Sequence, residues 1–125
     1  VAILSFGTRL RESLLAADQL DHLGVSTTVA DARFAKPLDY DLVKKLAQNH
    51  ELIITVEEGS IGGFGTQVSH YLLNQGLLDG STKLRTLTME DRFVDHGNVD
   101  QQYEEAGLNA SGIVKTACQV LGVSQ

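Results

Sequence analysis

The stretch Leu52–Leu73, "LIITVEEGSIGGFGTQVSHYLL", decides how the rest of the chain is read. Five apolar or β-branched residues run into the paired acids Glu57 and Glu58. A loop with four glycines in seven positions (59–65) follows, and then a helical pattern with Phe64, Val68 and Tyr71/Leu72 on one side. A short apolar run, a glycine loop and an amphipathic helix form one strand–turn–helix unit of an α/β sheet. Glycine turns of this type often cradle phosphate, because bare backbone N–H groups and a helix N-terminus attract anions. Two carboxylates at the lip oppose that use.

The same unit recurs on both sides. Val1–Phe6 is a near-continuous apolar run, expected of a strand covered on both faces. A helix is predicted over Arg9–Leu23, with Leu10, Leu14, Ala17 and Leu20 as its inward stripe and Gly24 ending it. Val25–Ala32, rich in β-branched residues, reads as a second strand. After Pro37, a helix from about Asp41 to Asn49 turns Leu42, Val43, Leu46 and Ala47 inward. Lys83–Met89 is the fourth strand, a short helix covers Val99–Ala106, and a last helix spans Ser111–Leu121. Strand–helix alternation implies parallel strands and right-handed crossovers, hence one α/β domain over residues 1–125, a three-layer α/β/α sandwich. The expected strand order is 2-1-3-4.

The 125 residues carry a net charge of −6, are 42% hydrophobic, and contain no long basic run. Nucleic acid and anionic membranes are therefore not expected partners. No apolar segment approaches the roughly 18 residues of a membrane span. The single cysteine, Cys118, lies in "IVKTACQVL" and is expected in the core, a composition compatible with a reducing compartment. Because Val1 opens directly on a strand, the chain is expected to be a piece of a longer polypeptide.

In a doubly wound sheet, ligands gather at the carboxyl ends of the strands, where strand order reverses. That crevice would collect Gly7, Thr8 and Arg9 after the first strand and the "EEGSIGGFG" loop after the third. Asp31, Arg33, Glu90, Asp91 and Arg92 would stand on its flanks. A dinucleotide fingerprint, G-x-G-x-x-G, fails at its third glycine: Gly63 and Gly65 are followed by Val68. No phosphate-loop G-x-x-x-x-G-K-[ST] and no G-x-S-x-G occurs, which leaves Ser60 and Ser69 without a nucleophile motif. His22, His50, His70 and His96 lack metal-ligand spacing. Asp95 and His96 are sequence neighbours, which rarely face one another. The glycines then serve close packing, and Ile61 and Phe64 at an exposed loop tip would lie against another domain. One of Glu57 and Glu58 would point into the crevice, as a helix cap or an interdomain ion pair.

Three segments, "DARFAKPLD" (Asp31–Asp39), "TVEEGSIGGFG" (Thr55–Gly65) and "DRFVDHG" (Asp91–Gly97), resemble the C-terminal, transketolase-like domain of the 1-deoxy-D-xylulose-5-phosphate synthases. "VAILSFGTRL" and "EEAGLNASGIV" fit the same pattern, so the resemblance runs through the whole chain. It implies a parent enzyme that condenses pyruvate with glyceraldehyde 3-phosphate using thiamine diphosphate and Mg2+, for isoprenoid, thiamine and pyridoxal synthesis. It also implies a homodimer in bacterial cytoplasm, or in plastids if the source is a plant. The cofactor-binding "GDG…N" segment of that family is absent here, so no catalytic, cofactor or metal residue carries over. The resemblance implies an accessory domain, inactive alone, that contacts the upstream domains and a second subunit. Thr8, Arg33, Glu57, Glu58, Ser60, Gly62, Gly63, Asp91, Arg92 and His96 are the candidate contacts. It further implies an antiparallel edge strand ahead of Val1. The alternatives are a free-standing Rossmann-like nucleotide-binding or regulatory module and, more remotely, a stand-alone hydrolase.

Overall fold

A computed structural model describes residues 1–32, 39–58, 63–88 and 109–125. Its described elements are β1 (Ala2–Ser5), a 3-10 turn (Gly7–Arg9), α1 (Leu10–His22), β2 (Thr28–Asp31), α2 (Tyr40–Asn49), β3 (Leu52–Glu57), α3 (Phe64–Asn74), β4 (Lys83–Thr88) and α4 (Ala110–Leu121). The strands form one sheet, parallel as the alternation of the sequence implies, in the order β2-β1-β3-β4, the commonest doubly wound arrangement. The helix expected over Val99–Ala106 lies outside the described residues.

Burial on both faces explains the unbroken apolar runs of β1 and β3, whose residues are all buried. Alternate side chains feed two cores. Ile3, Leu52, Ile54 and Val56 meet Ala16, Leu20, Ile113, Val114 and Ala117 beneath α1 and α4. Ala2, Leu4 and Ile53 meet Val43, Leu46, Phe64, Val68 and Leu72 beneath α2 and α3. Cys118 is a free, buried thiol in the first core.

Local chemistry sets the helix ends. The Asp39 carboxylate accepts the Leu42 N–H (3.0 Å), so α2 starts one residue earlier than periodicity suggested. At the end of α1 the chain turns through Gly24 at φ +82°, while Val25 N–H reaches the Leu20 carbonyl (2.9 Å) and Gly24 N–H that of Asp21 (3.0 Å). This is the double hydrogen-bond closure that favours glycine in the left-handed region. The chain from Val25 to Thr27 is taken up in that exit, which shortens β2 to Thr28–Asp31.

Two expectations are corrected. Leu14, assigned to the inward stripe of α1, is 52% exposed, and the buried face is instead Ser13, Ala16, Ala17 and Leu20. Small residues face inward because α1 packs against both the sheet and α4. Ser13 is accommodated there by donating its hydroxyl to the Arg9 carbonyl (2.8 Å). Phe64, placed at an exposed loop tip, is 1% exposed and stacks on Phe6 with ring centroids 5.2 Å apart. It is the first residue of α3, and the start of that helix is drawn down onto the sheet.

Gly65 makes that approach feasible. A β-carbon added there would sit 3.0 Å from the Thr55 hydroxyl oxygen and 3.3 Å from a Thr86 methyl. Thr55 lies fully buried on a central strand and has little room to yield. Gly65→Ala is expected to destabilise the fold by roughly 1–3 kcal/mol through overpacking, read as a lower urea midpoint with an unchanged slope.

Candidate functional site

The strands end in step. Ser5 pairs with Asp31 on one side and Val56 on the other, and Glu57 pairs with Thr88. Consequently the turn after β1 and the loop after β3 leave the sheet from one edge, with β1 and β3 adjacent at its centre. The chain leaves β1 toward β2 and leaves β3 toward β4, so strand order reverses between them. The switch point at which a crevice is expected from the sequence is therefore present in the topology, bordered by the turn that holds Thr8 and by Glu57, Glu58 and Gly63.

Glu57 dominates this edge. As the last residue of β3 it projects to the α3 side of the sheet, and it is 2% exposed. Its Oε2 accepts the Phe64 N–H (2.9 Å) and its Oε1 accepts the Gly65 N–H (3.1 Å). These are the first N–H groups of α3, which have no partner inside the helix, and they stand at the positive end of its dipole. A buried carboxylate is costly without such donors, and here each oxygen has one. Gly63 lies against the same group: a β-carbon there would be 3.4 Å from both carboxylate oxygens.

Glu58 leaves the sheet in the other direction, toward the turn after β1. Its Oε1 stands 3.7 Å from Arg9 Nε, an ion pair across the point where strand order reverses. Glu58 is partly open to solvent. The pair therefore contributes little to stability, about 0–1 kcal/mol. It does neutralise a cation at the N-cap of α1, where the helix dipole disfavours positive charge. Arg33, Ser60, Gly62, Asp91, Arg92 and His96 lie outside the described residues, as do Glu90, Asp95 and Ile61.

Sequence reasoning missed a third carboxylate. Glu12, in the first turn of α1, accepts the Ala110 N–H (2.9 Å) at the start of α4. The Asn109 side chain accepts the Gly112 N–H (2.9 Å) of the same helix. A contact spanning 98 positions has no local signature, whereas "NASG" does carry the cap signal at Asn109. Thus α2, α3 and α4 each begin on a side-chain oxygen of this chain.

This arrangement answers whether the edge suits a diphosphate and its cation. The α3 donors that a phosphate would take are held by Glu57, and a second anion beside that carboxylate would be repelled. Among the described residues, no group of three or more His, Cys, Asp or Glu side chains is arranged to hold a metal. Among the described residues, the α3 N–H groups are thus taken and are not a site for a phosphate of thiamine diphosphate or of a nucleotide. His22 and His50 take structural places at helix ends. His22 donates to the Asp18 carbonyl (2.8 Å), and that bond, with the Asp18 and Asp21 carboxylates, raises its pKa. His50 bridges the Leu46 carbonyl (2.9 Å) and the Thr28 hydroxyl (2.9 Å). No described helix is long and apolar enough to cross a membrane.

Replacing Glu57 by Ala would strand two buried N–H groups at the start of α3. A loss of roughly 2–6 kcal/mol is expected, from about 1–3 kcal/mol per unsatisfied donor. Chemical denaturation of Glu57→Ala beside Glu58→Ala checks it, with the latter within about 1 kcal/mol of the parent.

The family model of the transketolase C-terminal domain matches residues 1–113. Among solved structures, the chain is similar to one described as a split gene transketolase, an inactive β4 tetramer, with a TM-score of 0.84 and 26% sequence identity. The alignment covers 99% of this chain and 40% of that one, so this chain spans less than half of that relative's length. A parallel sheet of order 2-1-3-4, capped as described and matched over nearly all its length, places this chain in the transketolase C-terminal domain family.

Proposed function

We propose that this chain is the C-terminal assembly domain of a 1-deoxy-D-xylulose-5-phosphate synthase and takes no part itself in the chemical step. The observation that carries the non-catalytic reading is the Glu57 carboxylate on the Phe64 and Gly65 N–H groups. It occupies the two N–H groups at the start of α3 that a phosphate would need. The synthase reading is supported by "DARFAKPLD", "TVEEGSIGGFG" and "DRFVDHG", occurring in order along the chain.

In the proposed parent enzyme, pyruvate loses its carboxyl group as CO2, and the remaining two carbons join the aldehyde carbon of glyceraldehyde 3-phosphate. Thiamine diphosphate, held with Mg2+ by upstream domains, supplies the carbanion chemistry when bound. The product feeds isoprenoid, thiamine and pyridoxal synthesis, in the cytoplasm of a bacterium or in a plastid. This chain's contribution is a rigid edge that meets the upstream domains within a homodimer. Thr8, Arg33, Glu58, Ser60, Gly62, Gly63, Asp91, Arg92 and His96 are the residues assigned to that contact, while Glu57 braces it from inside.

The test is an assay of the natural polypeptide that carries this domain, supplied with thiamine diphosphate and Mg2+. Pyruvate and glyceraldehyde 3-phosphate are expected to yield deoxyxylulose phosphate and CO2 in equal amounts. Ketol transfer between sugar phosphates without CO2 release would replace the synthase reading by a transketolase one. Deleting residues 1–125 is expected to abolish turnover together with dimerisation. Full turnover after that deletion would remove the assembly role.

A further inference from the structure

We infer that the outer face of α1 is a self-complementary contact with a second copy of this chain. Leu14 and Leu15 are 52% and 44% exposed on a helix whose opposite side is committed to the sheet and α4. Arg11 and Asp18, also exposed, flank them, so positions 11, 14, 15 and 18 form one stripe at i, i+3, i+4 and i+7. The stripe has an apolar centre, a cation toward the helix start and an anion toward its end.

That order suits a partner of one kind. If two α1 helices lie antiparallel about a two-fold axis passing between Leu14 and Leu15, each Leu14 meets the partner's Leu15. Each Arg11 then meets the partner's Asp18, and the contact satisfies both chains identically, as a two-fold interface requires. Neighbouring registers are worse. Centring the axis on Leu15 sets Glu12 against the partner's Asp18, two acids together. Centring it on Leu14 sets Arg11 against the partner's Ala17 and leaves both charges unpaired. The charges thus select the register that also buries the leucines. One helix pair covers less than the roughly 800 Å² per partner of a standard interface. The contact therefore strengthens a dimer rather than forming one unaided.

This inference leans on the assembly role proposed above and not on the identity of the reaction. A polypeptide that makes deoxyxylulose phosphate yet ignores the changes below would sink the α1 contact alone. The test measures self-association of the natural polypeptide by sedimentation equilibrium, with Arg11→Asp, with Asp18→Arg, and with both. All three changes are on exposed positions, and circular dichroism verifies the fold. Each single reversal turns two attractive pairs into two repulsive ones and is expected to weaken association about tenfold. The double reversal is expected to restore it to within about twofold, because the pairs reform with charges exchanged. Single reversals without effect would overturn the inference. So would a double variant no better than the singles, the outcome if another domain covers Leu14 and Leu15. A polypeptide that does not self-associate would overturn it as well.

Discussion

Everything at the carboxyl edge of this sheet depends on one carboxylate and two backbone N–H groups. Glu57 is buried at the end of a central strand, and its two oxygens hold the first donors of α3 at 2.9 and 3.1 Å. Charge in a low-dielectric setting is tolerated only with such compensation, and the helix dipole adds to it. Once the helix start is tied to the strand end, its neighbours have no freedom. Phe64 must enter the core against Phe6, and Gly65 must lack a side chain because Thr55 and Thr86 lie beneath it. The start of α3 is built around an anion, as in nucleotide-binding folds, but the anion belongs to the protein.

The same principle recurs at lower strength. Asp39 caps α2, while Glu12 and Asn109 divide the start of α4 between them. Glu12 is the long-range member, joining α1 to a helix that follows it by almost the whole chain. Because α1 must sit close to β1 and to α4, its inner face is built from Ser13, Ala16 and Ala17, with Leu20 the one large residue. Its leucines at 14 and 15 are displaced to the outside, which gives the molecule an apolar strip where a solvent-facing helix would ordinarily be polar.

The two-sided burial of β1 and β3 and the helix that follows the glycines were legible in sequence, because each rests on periodicity or on punctuation by glycine and acid. Strand order does not follow from periodicity and was expected only as the commonest doubly wound arrangement. The inward face of α1 was not. Leu10, Leu14, Ala17 and Leu20 make a plausible apolar stripe, but the distance to α4 favours small side chains, and that distance is a tertiary quantity. Phe64 was misplaced for a related reason. A phenylalanine between two glycines reads as a loop tip until Glu57 is known to pull the helix start inward. That one of the two glutamates would turn inward followed from strand alternation. Its partners, two main-chain groups seven and eight residues on, could not be read from side-chain chemistry.

The most direct measurement is amide hydrogen exchange at Phe64 and Gly65 in the intact protein. These N–H groups, bonded to a buried carboxylate, should exchange as slowly as the Ile53 and Ile54 amides of β3, through global opening. Exchange at the rate of the exposed Gly80 amide, with β3 still protected, would mean that Glu57 does not hold the start of α3. The glycine loop would then be open to an external anion after all.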